Sequence, residues 1–152
     1  GKYIIGVEPM PYSGLPNLDK AYKVVKESGC DNAMLILDTW HWVRADQPYD
    51  ILTKEIGEKV VSIQINDAYE RPYAASVLRD ESMHDRLAPG TGAKDTVGFV
   101  KMIKEAGVSP RAVGVEVISD AIVAKGLKEA ASLTYDNTVK VLKEAWPELL
   151  ED

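Results

Sequence analysis

The chain has 152 residues, enough for one domain with a sizeable buried core, and its 45% apolar and 28% charged residues are ordinary for a globular protein. A net charge of −6 with no basic cluster argues against a nucleic-acid or anionic-membrane surface. The lone Cys30 has no partner for an internal disulfide, and two histidines cannot build a Cys/His zinc pattern.

The first predicted strand, 3–8, is the apolar run Tyr3-Ile4-Ile5-Gly6-Val7 closed by Glu8. After a loop through Pro9, Pro11 and Gly14, a helix is expected from Leu18. Asn17 is placed to cap it, Leu18, Ala21, Tyr22 and Val25 recur at helical spacing, and Gly29 follows its end. The second strand is Ala33-Met34-Leu35-Ile36-Leu37, closed by Asp38, with Thr39-Trp40-His41-Trp42 at its exit. Pro48 is expected to open a short helix reaching Ile56. The third strand, 60–66, runs from Val60 through Gln64 to Asn66. The polar stretch 67–94 that follows is long enough to suggest a cover over the strand ends. Val97, Val100, Ile103 and Lys104 mark an amphipathic helix ending near Gly107. The last strand, 111–117, carries Val115 and Glu116, and two helical patterns follow at 120–133 and 135–145.

Apolar runs alternating with helices read as parallel strands buried on both faces. Carboxylates at the exits of such strands converge on one rim, where an α/β barrel keeps its chemistry. The opening strand has no element before it, and four βα units make half of an eight-fold barrel. Bare edges on such a sheet would template other chains. A preceding half-barrel or a second copy in a two-fold homodimer is therefore expected to cover them.

Glu8 and Glu116 each end an apolar strand, where a carboxylate is costly to bury unless it is paired or binds a cation. A solvated glutamate bonded to a nearby Arg or Lys is the plainer alternative for each. Asp38 and His41 form Asp-x-x-His, which suits a metal ligand followed by a second ligand or a grip on a substrate hydroxyl, and equally suits a helix cap beside a half-buried histidine. Gln64 offers a neutral carbonyl to a hard cation, or belongs to a hydrogen-bonded polar layer, and Asn66 shares its strand face. Trp40 and Trp42 either line a sugar pocket or pack in the core. Arg86, before Pro89-Gly90-Thr91-Gly92, reaches a polyhydroxylated substrate or is solvated on a turn. This donor set favours Mn or Mg, and His41 admits Co or Zn.

In order and spacing these residues resemble the second half of the xylose-isomerase-like TIM barrels, a family of sugar and sugar-phosphate isomerases and epimerases that also includes endonuclease-IV-type proteins. Val7-Glu8-Pro9 is similar to the family's fifth strand, Leu37-Asp38-Thr39-Trp40-His41 to the sixth, Gln64-Ile65-Asn66-Asp67 to the seventh and Val115-Glu116 to the eighth. The segment 86–92 is similar to the family's Arg-x-Pro-Gly-x-Gly turn with one residue added before the proline. The resemblance implies a single domain of strands 5–8 of a (β/α)8 barrel, with Glu8, Asp38, Gln64 and Glu116 ligating one divalent cation. It further implies Glu8 and Glu116 as acid and base in proton abstraction beside a carbonyl. His41 and Arg86 would hold a sugar-like substrate, with Trp40, Asn66 and Asp67 grouped as further contacts. Most family members carry His where this chain has Gln64, and the Gln-x-Asn-Asp variant resembles 3-dehydroshikimate dehydratases. Metal-dependent isomerisation, elimination by a lyase and an inactive half-barrel scaffold are thus the three readings. Two histidines fit the endonuclease branch poorly, and no run is long enough to span a membrane, so the expected location is cytoplasmic.

Overall fold

Side-chain alternation gives each strand a helix-facing side and an open side, and this division organises the molecule. The computed structural model describes residues 3–70 and 77–151. Strands β1 (Ile5–Val7), β2 (Ala33–Asp38), β3 (Val60–Ile65) and β4 (Ala112–Val115) form one parallel sheet in sequential order. The register pairs Gly6 with Met34, Asp38 with Gln64, and Gln64 with Gly114.

One face of this sheet carries Leu35, Leu37, Ile63 and Ile65, all essentially without solvent exposure. They join a single apolar cluster with Leu18, Ala21 and Val25 of α1 (Leu18–Glu27) and Phe99, Val100 and Ile103 of α5 (Thr96–Glu105). Val141, Leu142 and Ala145 of α7 (Leu127–Ala145) complete it. Trp42 belongs to this core, edge-on to Phe99, so of its two sequence readings packing is the one observed. The opposite face, with Met34, Ile36, Ser62 and Gln64, is only half-buried. The expectation of strands buried on both faces is therefore corrected. Among the described residues the outer edges of β1 and β4 have no strand partner, leaving Ile5 61% and Val115 40% exposed.

The first helix follows its sequence signals. Asn17 caps α1 by accepting from Lys20 N, and Gly29 follows with φ +63°. Three other boundaries differ. Asp38 caps α2 (Thr39–Arg44), a short helix that brings His41 back over the strand end. The helix expected from Pro48 to Ile56 is two pieces, a 3-10 turn at Tyr49–Ile51 and α3 (Lys54–Gly57). Leu52 leaves helical geometry between them, so that Thr53 can cap the second piece by accepting from Ile56 N. The final helical region breaks at Gly126, whose φ of +92° is open to glycine, and not near residue 134. It separates α6 (Asp120–Val123) from the long α7.

The stretch 67–94 contains α4 (Leu78–His84), and residues 71–76 of that expected cover lie outside the described residues. Its C-terminal part is tied down by Asp67. This buried carboxylate accepts from Ala68 N at 2.7 Å and Gly92 N at 2.9 Å. A Cβ on Gly92 would lie 2.5 Å from Ala68 O and closer still to Asp67 Oδ1. Gly92→Ala is thus expected to destabilise by about 1–3 kcal/mol through overpacking, lowering Tm by ~2–4 °C for each kcal/mol. A melting curve identical to wild type would show that the loop re-seats without cost.

Candidate metal centre

Parallel pairing aligns the strand exits and so fixes which side chains can meet. Asp38 and Gln64 are register partners and therefore share a face; Glu116 lies two residues beyond Gly114, which pairs with Gln64. Glu8 lies two beyond Gly6, on the same alternation. All four side chains belong to the half-buried face. Ligand atoms of Glu8, His41 and Glu116 lie within 4.8 Å of one another.

Asp38 is the organising group. Its Oδ1 accepts from His41 N at 2.9 Å, and Oδ2 accepts from Asn66 Nδ2 at 2.7 Å and Arg86 Nη1 at 3.0 Å. The helix-cap reading of this residue is the one observed, with one oxygen capping α2 while the other is held by Asn66 and Arg86. Arg86 Nη1 also donates to Glu116 Oε2 at 2.9 Å, while its Nε and Nη2 donate to Ser82 O and Oγ, both at 2.8 Å. His41 Nε2 stands 3.4 Å from Glu8 Oε1 and 3.4 Å from Arg86 Nη2.

Electrostatics mark the cluster as short of positive charge. Burial, with the nearby Asp38 and Glu116 carboxylates, pushes the Glu8 carboxyl up to about 7. Burial also raises Asp38 to about 6; the Arg86 guanidinium opposes this and does not overcome it. Burial first, and Arg86 second, lowers His41 to about 3, so its ring is neutral. Three buried atoms here have no hydrogen-bond partner: Glu8 Oε1, Gln64 Oε1 and His41 Nδ1. Unpaired buried acceptors are costly, and oxygen acceptors grouped beside like-charged carboxylates are what a hard divalent cation satisfies. The residues fit such an ion.

The remaining candidates stand behind this layer. Asn66 is fully buried; its Oδ1 accepts from Trp40 N at 2.7 Å and its Nδ2 donates to Asp38 and to Glu116 O. Trp40 lies edge-on to His41 and beneath the Arg86 guanidinium, 5.6 Å from ring centroid to Cζ. Trp40, Asn66 and Asp67, grouped with the substrate contacts in the sequence reading, have no exposed surface and stand behind the carboxylates. His41 and Arg86 are equally buried in this state but reach the carboxylates directly.

Sequence reasoning missed four neighbours. Tyr12 lies edge-on to His41, and its hydroxyl is 3.1 Å from Ser82 Oγ. Ser82 carries Arg86, and the fully buried Glu81 carboxylate accepts from Arg44 Nε and from Trp40 Nε1. No local signal distinguishes Tyr12, Arg44 and Glu81, whose contacts span tens of positions, whereas Ser82 stands only four residues before Arg86. His84 pairs with Asp120 at the surface, and Cys30 is exposed.

A profile described as xylose isomerase-like TIM barrel matches residues 2–145. The inosose isomerase of Bacillus velezensis is 29% identical over 134 residues, 88% of this chain and 43% of that protein. The 3-dehydroshikimate dehydratase of Pseudomonas aeruginosa is 30% identical over 104 residues, 68% of this chain and 16% of that protein. Among solved structures, the IolI protein with a binding zinc atom superposes with a TM-score of 0.81 at 26% identity, covering 94% of this chain and 50% of that one. The chain thus spans half or less of the length of these relatives. Among the described residues no helix is long and apolar enough to cross a membrane.

Proposed function

Because the chain belongs to the xylose isomerase-like TIM barrel family, we propose that it carries the metal-binding and proton-transfer half of a sugar isomerase or epimerase. The observation that carries this reading is the gathering of Glu8, His41 and Glu116 ligand atoms at the strand exits, beside Asp38 and its register partner Gln64, with buried Glu8 and Gln64 oxygens that accept no hydrogen bond. Glu8, Asp38, Gln64 and Glu116 are the proposed ligands of one divalent cation, Mn or Mg by donor type. Such an ion supplies Lewis acidity to a substrate carbonyl or neighbouring hydroxyl when it is bound.

The side chains then divide the remaining work. Glu8, with a carboxyl poised near neutral pH, is suited to take a proton from the carbon beside a carbonyl. Glu116, the more exposed carboxylate across the site, is suited to return a proton on the same or opposite side. Neutral His41 offers a hydrogen bond to a hydroxyl without adding charge. Arg86 orients an electron-rich oxygen by its planar fork. Trp40 and Tyr12 wall the site and exclude water from one side.

We further read β1 to β4 as strands 5–8 of an eight-stranded barrel, with the half-buried face as its interior. Sequential parallel order, helices covering one face and two open edges support this. An N-terminal half-barrel or a second copy of the chain would complete the wall and cover Ile5 and Val115. A folded half that binds metal without turnover until completed is the corresponding expectation for this chain alone.

A second reading, elimination of water by a dehydratase, is favoured by Gln64 and by the likeness to the Pseudomonas aeruginosa enzyme. Incubation with Mn2+ and, separately, inosose, ketoses, ketose phosphates and 3-dehydroshikimate distinguishes the two. Isomerised product without loss of water supports the first reading, and an unsaturated product with loss of water replaces it with the second. Absence of turnover in the chain joined to a complementing half would leave only the scaffold.

A further inference from the structure

One cationic group already occupies part of the proposed centre. Arg86 is 2% exposed, and its Nη1 bridges Asp38 Oδ2 and Glu116 Oε2, which belong to two of the four proposed ligands. Its anchorage does not depend on them. Two bonds to Ser82 on α4 and the face of Trp40 hold the guanidinium from the other side. The guanidinium would therefore stay in place when the carboxylates turn to another partner.

The charge count is informative. Glu8, Asp38 and Glu116 carry three negative charges when ionised, Arg86 carries one positive charge, and Gln64 is neutral. The balance is the charge of one divalent cation. A buried Asp38 carboxylate beside the half-buried Glu8 and Glu116, without any counter-ion, would disfavour the folded state. A guanidinium touching two of them offsets that cost, and for the same reason repels an arriving cation.

We infer that Arg86 is a built-in counter-ion, which holds Asp38 and Glu116 together in the metal-free protein and limits the affinity of the centre for a divalent cation. The inference rests on the metal reading above and adds a role that does not require substrate. Arg86→Gln removes the charge and the fork. Arg86→Lys keeps the charge and loses the bidentate geometry.

The test measures Mn2+ binding by the loss of free-ion electron paramagnetic resonance signal, together with thermal unfolding of the metal-free chains. Arg86→Gln is expected to melt several degrees below wild type without metal and to bind Mn2+ about tenfold tighter or more. Arg86→Lys is expected to stay within about threefold of wild type in affinity, because charge sets this term. If Arg86→Gln unfolds without metal, recovery of its fold by Mn2+ supports the inference, since the ion then takes over the same carboxylates. Unchanged or weaker Mn2+ binding by folded Arg86→Gln would overturn it, as would equal tightening by Arg86→Lys or failure of millimolar Mn2+ to recover the fold. A wild-type chain that binds no Mn2+ would instead overturn the metal reading itself.

Discussion

Glu116→Gln is expected to weaken divalent-cation binding by about a hundredfold or more. Loss of groups that merely orient metal ligands costs about 10–100-fold, and here a charged ligand itself is replaced by a neutral one. The Arg86 charge is also left less compensated, because Glu116 Oε2 is one of its two carboxylate partners at the site. At a cation concentration of ~100 times the wild-type Kd, binding stabilises the folded chain by about 2.7 kcal/mol. That corresponds to ~5–10 °C in Tm for a domain of this size. A hundredfold loss of affinity leaves about 0.4 kcal/mol at the same concentration, a shift near the noise of a melting experiment. The measurement is a pair of melts, with and without Mn2+, for each protein. Equal metal-induced shifts in the two would remove Glu116 from the ligand set.

Cation affinity is expected to fall by about a thousandfold between pH 8 and pH 5. The ion competes with protons for Glu8 and Asp38, whose carboxyls stand at about 7 and about 6 in the metal-free chain. Between pH 7 and pH 6 one proton must leave, giving about tenfold per pH unit, and below pH 6 two must leave. His41 adds no slope, since burial holds its ring neutral until about pH 3. Without metal the two carboxylates work in the opposite sense. Their folded values lie above the ordinary 4.5 and 3.8, so the stability they contribute is full below those values and is lost as pH rises through about 6 to 7. Added cation therefore stabilises most at neutral and higher pH. Affinities measured by calorimetry across this range, corrected for buffer protonation, check the slope. A flat profile down to pH 5 would mean that these carboxylates titrate as ordinary ones or do not bind the ion.

The strand exits were legible because two independent periodicities agree there. Apolar runs set the strands, and the parallel register brings Asp38 beside Gln64 at their exits. Asn17 and Gly29 were readable for a similar reason, since capping chemistry is local. Buried contacts between distant elements were not readable. The Trp40–Glu81–Arg44 network depends on how α4 packs across α2, and no spacing in the sequence encodes that docking. The short α2 was harder to see than α1, because six residues make fewer than two helical turns and the cap is a residue that also reads as a ligand. The exposed sheet edges illustrate the opposite case. Ile5 and Val115 have the composition of buried strand positions, and the described chain supplies nothing to bury them.

The ligand set itself is tested most directly by anomalous diffraction from crystals grown with Mn2+. The account predicts one strong peak at the strand exits, with oxygens of Glu8, Asp38, Gln64 and Glu116 within about 2.0–2.6 Å and the Arg86 guanidinium beside them. A peak held by Glu8, His41 and Glu116 without Asp38 and Gln64, or no peak at the strand exits, would contradict it.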